Sequence, residues 1–239
     1  MSKPYFIFAN NKSSDMGLIM QSGHSMGAPD RDADFVSVPG RNGDLIQDNG
    51  RFNNYTDEYD CALNPNIGTN VEAQAKKIKN WLQGSFSYQR LIDYNELDYY
   101  RMAVCTSKID IQKTLARIGW AKIIFNCKPY RYRIDGDTVQ TITAAGEITN
   151  PEVWPSLPYL KVYGSGDITL HINDQDVVLT GISDYIEIDS ELQSCFKDLV
   201  LQNSHYRSDF WPQLDPGPVQ ISWTGTVSKI EITPRWCCL

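Results

Sequence analysis

The chain has 239 residues and a mass of 27.2 kDa, enough for two domains or one large β domain. Hydrophobic residues make up 41% and charged residues 21%, which excludes a disordered chain. Net charge is −7, which argues against a surface that grips duplex nucleic acid, and no apolar run approaches the ~18 residues of a membrane span.

Charge is unevenly spread. Residues 1–134 hold 17 Lys and Arg against 14 Asp and Glu, whereas residues 135–239 hold 5 against 15. That shift from +3 to −10 predicts two modules, with the boundary between Tyr132 and Gly146. The start, Met1 to Phe8, runs straight into Asn10-Asn11-Lys12 without a signal-peptide core, so the expectation is a soluble protein made in a cytoplasm. The six cysteines (61, 105, 127, 195, 237 and 238) show no Cys-x-x-Cys pair and are expected to be reduced.

In chain order, Tyr5–Phe8, Phe35–Val38, Tyr99–Cys105 and Ala121–Cys127 have strand character. Thr69-Asn70-Val71-Glu72 reads as a capping box. Val71, Ala75, Ile78 and Leu82 follow at helical spacing, which predicts one helix over 70–83. Lys76, Lys77 and Lys79 are expected to complement its C-terminal end, and Gly84 to stop it. The second half reads as almost wholly β. Ile168, Leu170 and Ile172 lead through Asn173-Asp174 to Val177 and Leu179 as a hairpin. Ile221 and Trp223 have odd parity and Ile230 and Ile232 even parity, which demands a turn or bulge near Gly225. Many short strands between turns predict a sandwich.

Reactive constellations are tested in turn. Asp30, Asp32 and Asp34 imitate a calcium loop, but Phe35 and Arg41 stand where it needs glycine and a bidentate acid, so they read as a solvated acidic loop. His24, His171 and His205 have no zinc spacing. No nucleophile elbow or Cys–His signature occurs. Asp184, Glu187, Asp189 and Glu191 are the paired-carboxylate candidates. Glu187, Asp189 and Glu191 share the parity opposite to Ile186 and Ile188, and so read as a solvated strand face. Gly164-Ser165-Gly166-Asp167 lacks a third glycine and a following helix, and reads as a turn. His171-Ile172-Asn173 matches only the start of a galectin sugar motif. The expectation is no enzyme, no metal and no cofactor.

Two longer patterns carry a resemblance. Val38-Pro39-Gly40-Arg41-Asn42-Gly43-Asp44-Leu45, leading to Asp48-Asn49-Gly50-Arg51-Phe52, resembles the N-terminal signature of phage distal tail proteins, with Asn42 in place of the usual aspartate. The 70–83 helix and Ile123–Tyr130 resemble the continuation of that domain. Thr149-Asn150-Pro151, Pro155–Pro158, Ile188–Glu191, Pro216-Gly217, Trp223–Gly225 and Pro234-Arg235-Trp236 follow in the family's order. Val219 and the ending Cys237-Cys238-Leu239 depart from it.

The resemblance implies a mainly β chain of two domains. Residues 1–134 would be a tail-tube-like β-sandwich or barrel with one packed helix, closing a hexameric ring. Residues 135–239 would be a galectin-like (jelly-roll) β-sandwich. Such a hub sits at the tail tip of the virion and joins the tail-tube protein to the tail-associated lysin or fibre. In many phages it also carries receptor-binding proteins. At 239 residues the chain has no room for a carbohydrate-binding insertion, so it falls with the compact structural members. No cofactor, membrane or specific nucleic acid is implied. Arg41, Asp44, Asp48 and Arg51 in the Gly40–Phe52 segment offer complementary charges and are the candidate subunit interface. The alternative is a carbohydrate-binding adhesin module using Trp154, Trp211 or Trp223. Trp223 shares the parity of core Ile221, while the other two precede proline in extended loops.

Overall fold

Helix α1 (Val71–Gln83) buries Val71, Ile78 and Leu82, the stripe its spacing predicts. This computed structural model describes residues 4–21, 27–64, 71–106, 111–115 and 118–239. Thr69 and Asn70, half of the expected capping box, lie outside the described residues. Gln74, not Ala75, is the fourth fully buried position, because its Nε2 donates to Gly17 O at 2.7 Å and so satisfies its amide in the core. The last turn holds no basic residue; the three lysines sit earlier and face solvent. Gly84 ends the helix through close approach, since a Cβ there would lie 2.3 Å from Asn80 O.

The chain is mainly β and divides into two compact units, Met1–Arg131 with Leu239, and Tyr132–Cys238. Strands of the first half are β1 (Phe6–Phe8), β2 (Asn11–Lys12), β3 (Leu18–Met20), β4 (Arg31–Val36), β5 (Leu45–Phe52), β6 (Tyr55–Leu63), β7 (Gln89–Asp93), β8 (Tyr99–Val104), β9 (Ile111–Leu115) and the long β10 (Ile118–Arg133). Their main sheet runs β2-β1-β7-β8-β10-β6-β3, with β9 also on β10. Strict alternation on β6 and β10 turns Tyr59, Cys61, Ile123 and Phe125 inward. There they join Phe6, Phe8, Leu91 and the buried face of α1 in one core. Its centre is aromatic, with Phe8–Phe125 and Phe6–Tyr59 ring centroids both 4.8 Å apart.

The second unit is built on β11 (Gln140–Ile142), β12 (Gly146–Asn150), β13 (Tyr159–Ile172), β14 (Gln175–Ile182), β15 (Tyr185–Asp189), β16 (Ser194–Lys197), β17 (Val200–Leu201), β18 (Gly217–Thr233) and the short β19 (Cys237–Cys238). Two long strands organise it. The first part of β18 pairs with β12 and with Thr169–Ile172 of β13, whose other edge takes β14. The second part of β18 pairs with β11 and with Tyr159–Tyr163, whose other edge takes β15, followed by β16 and β17. Both strands therefore cross between two layers that enclose one core, which includes Leu160, Val162, Leu170, Val177, Ile186, Ile221 and Ile230.

The parity change on β18 has the expected cause. Register shifts lie between Tyr163 and Gly164 and between Ser165 and Thr169. Gly225 takes φ +91°, and a Cβ there would lie 2.3 Å from Asp167 O. Gly164–Asp167 is correspondingly a bulge inside β13, and not the turn that its composition suggests.

Candidate functional site

Strands β4 and β5 form a two-stranded ribbon outside both large sheets. At its tip, Pro39-Gly40 makes a type II turn, with Arg41 N–H donated to Val38 O at 3.1 Å and Gly40 at φ +81°. Pairing runs Val36↔Leu45, Phe35↔Ile46, Asp34↔Gln47 and Ala33↔Asp48, then jumps to Asp32↔Arg51. Asn49 and Gly50 are the extra residues of that bulge. Gly50 takes φ +71° and donates its N–H to Asp48 Oδ1 at 2.9 Å.

Charge pairing holds the base of this arm. Arg31 reaches Asp48 Oδ2 with Nη2 at 2.5 Å and Nε at 3.0 Å. Arg51 Nε reaches Asp32 Oδ2 at 2.5 Å, and Asn49 Nδ2 bridges Asp32 and Asp34 at 3.2 and 3.3 Å. Hydrogen bonds from Arg31 and then the Gly50 amide hold Asp48 below the usual carboxylate range; Arg51 and then Asn49 do the same for Asp32. Asp32 and Asp34 are thus ladder residues of a strand, which corrects the reading of a solvated acidic loop.

Of the four candidate interface residues, Asp48 and Arg51 are therefore matched within the arm. Arg41 and Asp44 lie in the exposed turn, without side-chain partners among the described residues. Charge reasoning missed the tip's apolar surface. Phe35 is 68% and Ile46 65% exposed, and Val36, Val38 and Leu45 are exposed beside them. The signal was present in sequence: Phe35-Val36 and Leu45-Ile46 are consecutive rather than alternating, so both faces of the ribbon are apolar.

The second half's motif residues come together as packing locks. Buried Asn150 donates from Nδ2 to Trp154 O and Leu214 O at 3.0 and 2.9 Å, and its Oδ1 accepts Glu152 N–H at 2.9 Å. Ser156 Oγ donates to Pro234 O at 2.8 Å. Asp189 is 5% exposed and accepts both arms of Arg235, which corrects its placement on a solvated face. Glu187 pairs with Lys161 at 3.3 Å, and Asp184 with Lys197 at 3.6 Å. His171 Nδ1 lies 2.6 Å from Asp176 Oδ1 across its hairpin, while His24 lies outside the described residues.

Trp154, Trp211 and Trp223 are all half-buried, and Trp211 stacks on Tyr206 at 4.3 Å. Burial pushes the Cys61, Cys195 and Cys237 thiols up to about 12, and the Cys127 thiol higher still, so all four stay protonated. Among the described residues no group of His, Cys, Asp and Glu has the arrangement to hold a metal ion. No helix of the described residues is long and apolar enough to cross a membrane.

No protein-family model and no curated protein matches the chain. A solved structure does. It is described as the SPP1 Dit (gp 19.1) protein, "a Paradigm of Hub Adsorption Apparatus in Gram-positive Infecting Phages". The likeness has a TM-score of 0.71 at 12% identity and covers 100% of both chains. The fold of this chain is therefore that of the SPP1 Dit protein along its whole length.

Proposed function

We propose that the chain is a structural subunit of a phage tail-tip hub, without catalytic activity. Six copies would close a ring that joins the tail-tube protein to the tail-associated lysin or fibre, and to receptor-binding proteins where these are present. The observation that carries this reading is the full-length fold likeness to the SPP1 hub protein. Ring closure is assigned to residues 1–134 and the galectin-like sandwich to residues 135–239. The near-neutral first part lets copies approach where a net of −10 per copy would repel.

Closing a ring needs one surface to meet a different surface on the next copy. The β4–β5 arm supplies one such surface, because the charges at its base are internally matched and its apolar tip is exposed. A two-stranded ribbon is marginal alone in water, so docking on a neighbour would also stabilise it. Arg41 and Asp44 then set register at the turn.

Native mass spectrometry and negative-stain images of the full chain test the reading. The expected result is a closed ring of six copies. A strict monomer at high micromolar concentration overturns it.

A further inference from the structure

The β16–β17 hairpin of the second unit ends its sheet with an exposed apolar edge. We propose that this edge takes an extended segment of another protein as an added strand beside β17, the segment being apolar along its length and basic where it meets Asp198. The inference concerns this hairpin alone and stands whether or not copies of the chain close into a ring.

Backbone conformation is the first argument. Strands β16 and β17 meet in a tight turn, Asp198-Leu199, closed by Lys197↔Val200. Both turn residues are left-handed, Asp198 at φ +49° and Leu199 at φ +67°. Such a turn is ordinarily Asn-Gly or Asp-Gly, because glycine takes the second position without strain. Here that position holds a leucine that is 94% exposed. Its side chain gains almost nothing from packing within the chain and its backbone conformation is unfavourable, which suits a residue kept for a contact outside the chain.

The open edge is the second. Strand β17 is the last of its sheet, with β16 on one side only. Gln202 N–H is donated to Cys195 O at 2.7 Å, and Lys197↔Val200 lies two residues along the same ladder. By the alternation of antiparallel pairing, Leu201 between them turns its N–H and C=O away from β16, toward the open side. Val200 and Leu201 are both exposed and lie on opposite faces of the strand. A strand added there would pair with the Leu201 backbone and set its own alternating side chains beside both residues.

Charge is the third, and it selects the partner. Lys197, the basic residue of the hairpin, is drawn back: its Nζ donates to Ser183 O at 2.7 Å, lies 3.6 Å from Asp184 and sits 4.7 Å from the Tyr185 ring centroid. Asp198 accepts the Tyr185 hydroxyl, a neutral donor, and has no cationic partner among the described residues. Residues 135–239 hold 5 basic side chains against 15 acidic ones, and Lys161, Lys197, Lys229 and Arg235 are all in ion pairs within the unit. That acidic excess repels a second copy of this unit and an anionic lipid surface alike, and attracts a basic segment.

The test is fluorescence anisotropy on the full chain with a labelled Lys-Lys-Val-Val-Val-Val-Lys-Lys peptide and its glutamate-flanked counterpart. Saturable binding of the lysine-flanked peptide is expected, with Kd on the order of 100 μM, and binding of the other about tenfold weaker or less. Leu201→Pro removes the outward N–H while leaving the bonds to β16, and should weaken binding about fivefold or more. Leu199→Gly should weaken it in the same direction while raising the melting temperature, because glycine relieves the turn. Asp198→Asn keeps the turn and should erase most of the preference for lysine flanks. Absence of binding by the lysine-flanked peptide overturns the proposal, as does binding indifferent to Leu201→Pro. A melting temperature lowered by Leu199→Gly would return that leucine to the fold's own stability and overturn its assignment to a partner. Self-association of the full chain that is lost in Leu201→Pro would give the edge to a second copy, which also overturns it.

Discussion

Arg235 and Asp189 meet in a two-pronged pair, Nη1–Oδ1 at 2.8 Å and Nη2–Oδ2 at 2.9 Å, that ties the segment after β18 to the end of β15. Asp189 Oδ1 also accepts the Glu191 and Leu192 amides at 3.0 and 3.1 Å. Arg235 itself sits at φ +55°, a left-handed conformation that a non-glycine residue holds only where its surroundings fix it. Removing one partner leaves a buried charge unmatched, so Asp189→Ala should destabilise the second unit by about 3 kcal/mol in urea unfolding. Replacing both residues by apolar ones should cost less than the single change.

The same pair sets an acid limit. Burial raises the Asp189 pKa, but the Arg235 hydrogen bonds and the backbone amides outweigh it, and the net direction is downward. A carboxylate whose folded pKa lies below the unfolded value of ~3.9 contributes stability above that pH and loses it as pH falls through the folded value. Wild-type stability should therefore drop below about pH 4 by more than that of Asp189→Asn. Parallel slopes in a melt series over that range would assign the acid limit to other carboxylates.

Changing Phe35 and Ile46 together to serine should abolish oligomers while leaving thermal stability within about 0.5 kcal/mol, since both side chains are exposed. Arg41→Glu plus Arg51→Glu tests charge instead. Its effect should be smaller, because Arg51 is already paired with Asp32. Light scattering at moderate salt distinguishes the two. Oligomers that survive the serine changes but not the charge reversals would move the contact from the apolar tip to Arg41.

Phe125→Ala should cost about 3–5 kcal/mol in the first unit, because the ring is fully buried and packs on Phe6, Phe8 and Tyr59. Denaturation with a probe confined to the second unit should be unaffected.

Gly225→Ala should destabilise the second unit by about 1–3 kcal/mol, combining a positive φ with a collision against the Asp167 carbonyl. Gly166→Ala has open space around its Cβ and only the φ of +76° to oppose it, so it should cost less.

What sequence made legible divides along physical lines. The α1 stripe and the β18 parity change were readable because periodicity maps directly onto burial. Gln74 and Asp189 were not, since each is a polar side chain made at home in the interior by one distant partner, Gly17 O or Arg235. The arm was half legible. Its turn chemistry is written in Pro39-Gly40, but the matching of Arg31 with Asp48 and Arg51 with Asp32 depends on a register that the Asn49-Gly50 bulge shifts by two residues.

The crossing of β13 and β18 between both layers has a mechanical consequence. In a sandwich whose strands each stay in one sheet, the layers can peel apart along a plane that no backbone spans. Here two continuous chains pass through that plane, and their ladder pairs with each other on both sides of it. Separating the layers would require unzipping the two longest strands of the unit at once. A load applied across the sandwich is thus borne by covalent backbone as well as side-chain packing, and the layers yield together or not at all.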